Sequence, residues 1–180
     1  MELIGMTNQK SNHECMLAEA GRRREEARIV EVEEARVKLV IFLLCSEYYA
    51  FSGKDIREIL RFEKITYVPG SSQVILGIIN VRGDIESVLN IHWLLGLPDL
   101  EPTARSRIVI ATNGEIRSGI LVDSVEDVTD IPVGSIQPPL ATMEKSIKEF
   151  VVGVTDYRGR NVTVLGLENI LDKLTTAAAR

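Results

Sequence analysis

Gly77-Ile-Ile-Asn-Val-Arg82-Gly83-Asp-Ile-Glu-Ser-Val88-Leu89 returns later in the chain as Gly153-Val-Thr-Asp-Tyr-Arg158-Gly159-Arg-Asn-Val-Thr-Val164-Leu165. Glycine, arginine, glycine, valine and leucine stand in fixed register in both copies. Alternating apolar residues flank each Arg-Gly pair, the period of half-buried strands joined by a tight turn. A helix-like run follows each copy, His92-Trp-Leu-Leu and Glu168-Asn-Ile-Leu. The offset, 158 − 82 = 76 residues, exceeds the period of solenoid and propeller repeats. The pattern therefore reads as a duplicated small β unit.

The repeat extends upstream at a smaller offset, 115 − 47 = 68. Leu39-Val-Ile-Phe, Glu47 and Ile56-Arg-Glu-Ile match Ile108-Val-Ile-Ala, Glu115 and Val125-Glu-Asp-Val. Pro69-Gly70 and Pro132-Val133-Gly134 read as corresponding turns, and the stretch from Pro138-Pro139 to Lys148 as an insertion that lengthens the second half. Arg107 to Thr112, then Asn113-Gly114, then Ile116 to Val122 reads as a hairpin, with Asn113 and Gly114 at the two left-handed positions of a type I′ turn. Helix is scarce: one turn near 72–76 capped by Ser71-Ser72, one near 91–95, and a C-terminal helix near 167–175. About ten short strands with frequent Gly and Pro punctuation predict an all-β chain. As a duplication it makes two barrels of about five strands each, and closing a sheet removes edges that would otherwise pair between molecules.

The 180 residues carry a net charge of −5. A chain of this length buries about two thirds of its unfolded surface and needs no metal or disulfide staple. Net acidity argues against a nucleic-acid partner, which would require clustered Lys and Arg, and a shortage of surface aromatics argues against single-strand stacking. Two cysteines, Cys15 and Cys45, are no disulfide framework, and Cys45 reads as an inert buried thiol in a reducing, cytosolic compartment. No apolar run is long enough to insert into a membrane, and the N-terminus lacks a signal-peptide core. Residues 1–36, with six basic and eight acidic side chains, read as a charged, partly helical or flexible extension. Residues 37–175 form the duplicated domain, and 176–180 a short tail.

Catalysis needs convergent titratable groups, and few are present. The two histidines are His13, in the extension, and His92, a packing residue beside Trp93. No nucleophile elbow, zincin motif or C-x-x-C occurs, and Gly70 to Gly77 lacks the lysine of a phosphate loop. His13-Glu14-Cys15 offers too few ligands for a structural zinc site. Asp123, Glu126 and Asp127 read as a solvated strand end. The expectation is a binding module without catalytic residues, cofactor or metal.

Several motifs in order resemble the CheW family: Glu58-Ile59, Val68-Pro69-Gly70, then V-x-L-G-x-x-N-x-R-G ending at Arg82-Gly83, Gly119 to Val128, Ile136 to Pro139, and Phe150 to Val154. The resemblance covers about residues 37–175. It implies two intertwined five-stranded SH3-like barrels, a few short helices and a C-terminal helix. It also implies a non-enzymatic cytoplasmic adaptor that couples chemoreceptors to a CheA-type histidine kinase. The implied partners are the kinase regulatory domain and the receptor's cytoplasmic coiled-coil tip, with recruitment to membrane-associated arrays and ring or array assembly. A paralogue that binds the kinase without receptors, as competitor or array cap, is the first alternative, and a small β-barrel nucleic-acid-binding protein the second.

Carried onto this sequence, the family's receptor groove falls on Ile56, Glu58 and Arg82. Arginine at a tight turn presents fixed donors to carboxylates or helix C-terminal carbonyls, and an exposed aliphatic fills a space between helices. On geometry alone Arg82 serves equally as an internal hairpin tie. The resemblance assigns it to binding and leaves Gly83, Arg158, Gly159, Asn113 and Gly114 as structural turns. Departures stand at Ser87-Val88, Asn90-Ile91 and Gly53-Lys54-Asp55, and bear on which partners are bound.

Overall fold

Strand β1 (Arg36–Leu44) and β2 (Glu47–Ser52) form the first hairpin, followed by β3 (Ile56–Arg61), β4 (Ile75–Val81) and β5 (Asp84–Asn90). The second half repeats the order as β6 (Arg107–Asn113), β7 (Ile116–Val122), β8 (Ser124–Pro132), β9 (Val151–Tyr157) and β10 (Arg160–Leu165). A single-turn helix α1 (Lys145–Lys148) precedes β9, and α2 (Leu167–Ala178) ends the chain. This computed structural model describes residues 34–178 except 100 and 115. The extension expected over residues 1–36 lies almost wholly outside the described residues; a compact unit begins at Ala35.

The strands make two five-stranded sheets, ordered β8-β1-β2-β10-β9 and β3-β6-β7-β5-β4. Each half thus donates its first hairpin to one sheet and its last three strands to the other, which is the intertwining the resemblance implies. The duplication is carried in the register. Val40 pairs Val128 as Val109 pairs Ile59, and Leu44 pairs Glu47 as Asn113 pairs Ile116. A bulge interrupts β1/β8 between Ile41 and Phe42, and its counterpart interrupts β3/β6 between Ile56 and Glu58. The register sets the early offset at 128 − 59 = 69, one more than Glu47 and Glu115 give.

Edge strands of one sheet meet over a shared interior, which makes each sheet a barrel. Leu60 on β3 and Ile79 on β4 pack in one cluster with Val88, Ile108, Ile110 and Leu121. In the other barrel Leu39, Ile41, Ala50, Val162 and Val164 are joined by Ile131 of β8 and Tyr157 of β9. The alternate residues of the inner strands point the other way. Phe42, Leu44, Phe51, Val109, Ala111, Ile120 and Val122 form a third core between the barrels, closed by Leu167, Ile170 and Leu171 of α2. Successive side chains of a strand face opposite sides, so β1 is apolar at nearly every position because both of its faces are buried.

Three sequence expectations shift. Asn113 is the last paired residue of β6, opposite Ile116. Its hairpin turn therefore begins at Gly114 (φ 58°), one residue later than expected, at the place equivalent to Cys45-Ser46 (φ 50° and 71°). The proline turns are not counterparts. Thr66 bridges Ile78 as Gln137 bridges Val154, so Pro69 follows its bridge while Pro132 precedes its own. Residues 72–75 form a turn closed by Ile75 N–H donating to Ser72 O at 2.9 Å rather than a helix. The turn at 91–95 is present, with Leu95 N–H donating to Ile91 O at 3.1 Å.

Candidate functional site

Val81 pairs Asp84 across a two-residue turn in which Arg82 and Gly83 both take positive φ, 57° and 103°. The side chain of Asn80 holds the turn, its Oδ1 accepting the Gly83 N–H at 2.9 Å. Arg82 in a left-handed conformation costs roughly 1–2 kcal/mol relative to glycine, and its side chain projects outward, 82% exposed. Its Nη2 donates to Glu58 Oε2 at 2.9 Å. Because Glu58 lies on the edge strand β3 and Arg82 at the end of the other edge strand β4, this pair spans the unpaired seam of the barrel.

Glu58 and Ile110 are opposite one another, and Ile110 points into the barrel. Glu58 therefore sits on the inner face at the barrel mouth. Arg117 stands beside it, with Nη2 3.7 Å from Glu58 Oε1, Nη1 3.4 Å from Asp84 Oδ2 and Nε 3.1 Å from Glu86 Oε1. Glu86 is buried and opposes the core residue Ile79. Three carboxylates and two guanidinia thus cap this barrel. A cleft bounded by Glu58, Arg82, Asp84, Thr112 and Arg117 opens there, and an adjoining cleft lined by Leu60, Ile79 and Val81 runs along the seam. Ile85 and Ile116 stand exposed at the same end.

The other barrel carries the same frame with different chemistry. Arg158 (φ 55°) and Gly159 (φ 76°) make the equivalent turn, with Asp156 Oδ1 accepting the Gly159 N–H at 3.2 Å. Asp127 occupies the place of Glu58, 127 − 69 = 58, and takes a hydrogen bond from the Tyr157 hydroxyl with Arg158 Nη2 at 3.4 Å. The Tyr157 hydrogen bond, then the Val128 N–H and Arg158, hold the Asp127 carboxyl below its usual range, and the same bond raises the Tyr157 phenol. Where the first barrel has Arg117 and Glu86, this one has Tyr48 and Val162. Arg158 lies over the Tyr157 ring at 4.8 Å and Arg160 over Tyr48 at 5.1 Å, two cation–π contacts on partly exposed rings.

Of the three residues expected in the groove, Glu58 and Arg82 meet and Ile56 does not. The bulge after Ile56 puts it opposite Ala111, half-buried against the core between the barrels, whereas Glu58 faces the barrel mouth. The sequence reading missed Arg117, Glu86 and Asp84. One signal was available: Glu86 and Val88 share a face of β5, placing a carboxylate in an apolar row.

A family model described as the CheW-like domain matches residues 38–175. The chain is 28% identical over 142 residues to the chemotaxis protein CheW of Bacillus subtilis, covering 79% of this chain and 91% of that protein. It is 27% identical over 143 residues to protein FrzA of Myxococcus xanthus, covering 74% and 88%. The crystal structure of the scaffolding protein TtCheW from Thermoanaerobacter tengcongensis superposes with a TM-score of 0.67 at 30% identity, covering 74% of this chain and 86% of that one. Two intertwined SH3-like barrels, the ordered motifs and these matches agree: the chain belongs to the CheW-like domain family.

Proposed function

We propose that this protein is a non-enzymatic cytoplasmic adaptor that couples chemoreceptors to a CheA-type histidine kinase, with the Glu58–Arg82 mouth as its receptor contact. The observation that carries the reading is the divergence of two equivalent mouths. Both keep an exposed arginine over a half-buried carboxylate; one sets Tyr48, Tyr157 and Val162 around that pair, the other Arg117, Asp84 and the buried Glu86, beside an apolar seam. A pure hairpin tie would need nothing beyond what the Arg158–Asp127 mouth has. An exposed guanidinium next to Leu60, Ile79 and Val81 suits the acidic side chains or C-terminal carbonyls of a helix laid along the seam. The kinase regulatory domain is the second partner, and barrel pairing at two ends permits ring or array assembly. Among the described residues, no helix is long and apolar enough to cross a membrane, so membrane proximity would come through the receptor.

Calorimetric titrations with the regulatory domain of a CheA-type kinase, and separately with a receptor signalling-tip fragment, test the reading. Micromolar or tighter binding to both is expected. Binding to the kinase alone would replace the adaptor by a competitor or array cap, and binding to neither would remove the functional reading while leaving the fold.

A further inference from the structure

We propose that Cys45, His92 and Asp123 form a binding site for a zinc-class divalent cation at the junction of the two barrels. Cys45 opens the β1–β2 turn, His92 lies two residues beyond β5, and Asp123 joins β7 to β8. One donor atom from each comes within 4.8 Å of the others. His92 is 2% exposed, and its Nε2 is buried without a hydrogen-bond partner, 3.4 Å from Asp123 Oδ1.

The second ring nitrogen determines what Nε2 can do. Asn90 Nδ2 donates to Asp99 Oδ1 at 2.6 Å, which turns Asn90 Oδ1 toward His92. That oxygen accepts the His92 backbone N–H at 3.0 Å and lies 2.9 Å from Nδ1. The Nδ1 proton is thereby fixed and the Nε2 lone pair faces Cys45 and Asp123, the outer-shell arrangement that orients a metal-binding imidazole. Asp123 is oriented too, its Oδ2 accepting the Cys45 N–H at 2.7 Å.

A tetrahedral zinc ion with bonds of about 2.0–2.1 Å to N and O separates those two atoms by about 3.4 Å, which matches the spacing found. Sulfur, imidazole and carboxylate together favour zinc over magnesium or calcium. Binding forms an S–Zn bond as the Cys45 thiol releases its proton to solvent, giving up its 3.4 Å contact to Pro98 O; water fills the fourth position. The nearby charges of Asp99 and Glu47 favour a cation. The duplicated frame does not repeat the set: the counterparts of Cys45 and His92 are Gly114 (45 + 69) and Glu168 (92 + 76). The triad is therefore particular to this junction.

The test is a titration of the metal-free full chain with Zn2+ by calorimetry and with Co2+ by absorption. A Cys15→Ser background keeps His13-Glu14-Cys15 from contributing a thiolate. One equivalent bound at micromolar Kd or tighter is expected, with a thiolate-to-Co2+ charge-transfer band and the intense visible bands of four-coordinate cobalt. Cys45→Ser and Asp123→Asn, each checked for folding by circular dichroism, should each weaken binding at least tenfold and the first should abolish the charge-transfer band. Absence of binding at tenfold metal excess, or affinity unchanged in either folded variant, would overturn the proposal.

Discussion

Arg82 and Arg158 occupy equivalent left-handed turn positions, with φ of 57° and 55°, and each reaches across its barrel's seam to an acid on the opposite edge strand. Arg82 meets Glu58 at 2.9 Å and Arg158 meets Asp127 at 3.4 Å. The shared frame explains why Arg-Gly is repeated. The unshared surroundings, Arg117, Asp84 and Glu86 against Tyr48, Tyr157 and Val162, are where the two mouths differ.

Converting the charged mouth to the pattern of its twin should separate structural from binding roles. Glu86→Val alone leaves Arg117 short of a buried partner and is expected to cost about 2 kcal/mol. Adding Arg117→Tyr should recover most of that loss, giving a favourable coupling in a double-mutant cycle followed by urea denaturation. Simple addition of the two single losses would show that Glu86 and Arg117 do not act as a pair.

Acid stability should depend on Asp127. Its folded pKa lies below the 3.8 of the unfolded chain, so its contribution is present above that value and is lost as pH falls through the folded pKa. Asp127→Asn should flatten the fall of Tm with acid below about pH 4. Tyr157→Phe removes the largest cause of the lowering and should shallow the same slope. A slope unchanged in both would exclude this bond as its source.

Gly77 and Gly153 stand where the preceding segment bridges the edge strand. A Cβ at Gly77 would meet Thr66 O at 2.2 Å, with φ at 146°, and one at Gly153 would meet Gln137 O at 2.6 Å. Gly77→Ala is expected to lose about 3 kcal/mol, and Gly153→Ala, without the strained φ, somewhat less. Chemical denaturation with an unchanged m-value is the measurement.

Phe42 is fully buried between the barrels, 4.9 Å from Phe51 and 6.3 Å from Tyr49 between ring centroids. Phe42→Ala should cost about 3–5 kcal/mol. Since both barrels lean on this core, unfolding should remain a single transition by fluorescence and circular dichroism. Two separated transitions would mean that the barrels fold independently.

The duplication was legible because turn chemistry and strand alternation are local. Arg82-Gly83 and Arg158-Gly159 identify themselves by residue type and spacing, and the intertwining entered through the family resemblance. Register beyond the turn was not legible at Asn113, where Asn-Gly read as the turn pair although pairing to Ile116 continues through the asparagine. The bulge after Ile56 is set by β6 pairing and leaves no local mark, so nothing in the sequence separated Ile56 from Glu58 when the family resemblance put both in the groove. The Arg117 network escaped because its partners come from β3, β5 and β7. His92 read as a packing residue, since its open Nε2 appears only once Asn90, Asp99 and Asp123 are placed around it.

The Glu58–Arg82 mouth, and not its twin, is proposed to bind the receptor. This is tested by titrating a receptor signalling-tip fragment with the unmodified chain, Arg82→Glu and Arg158→Glu, each verified as folded. Arg82→Glu is predicted to weaken binding by about 2 kcal/mol or more, about 30-fold, while Arg158→Glu binds as the unmodified chain does. Equal affinity for Arg82→Glu and the unmodified chain would mean that the receptor does not bind at the Glu58–Arg82 mouth.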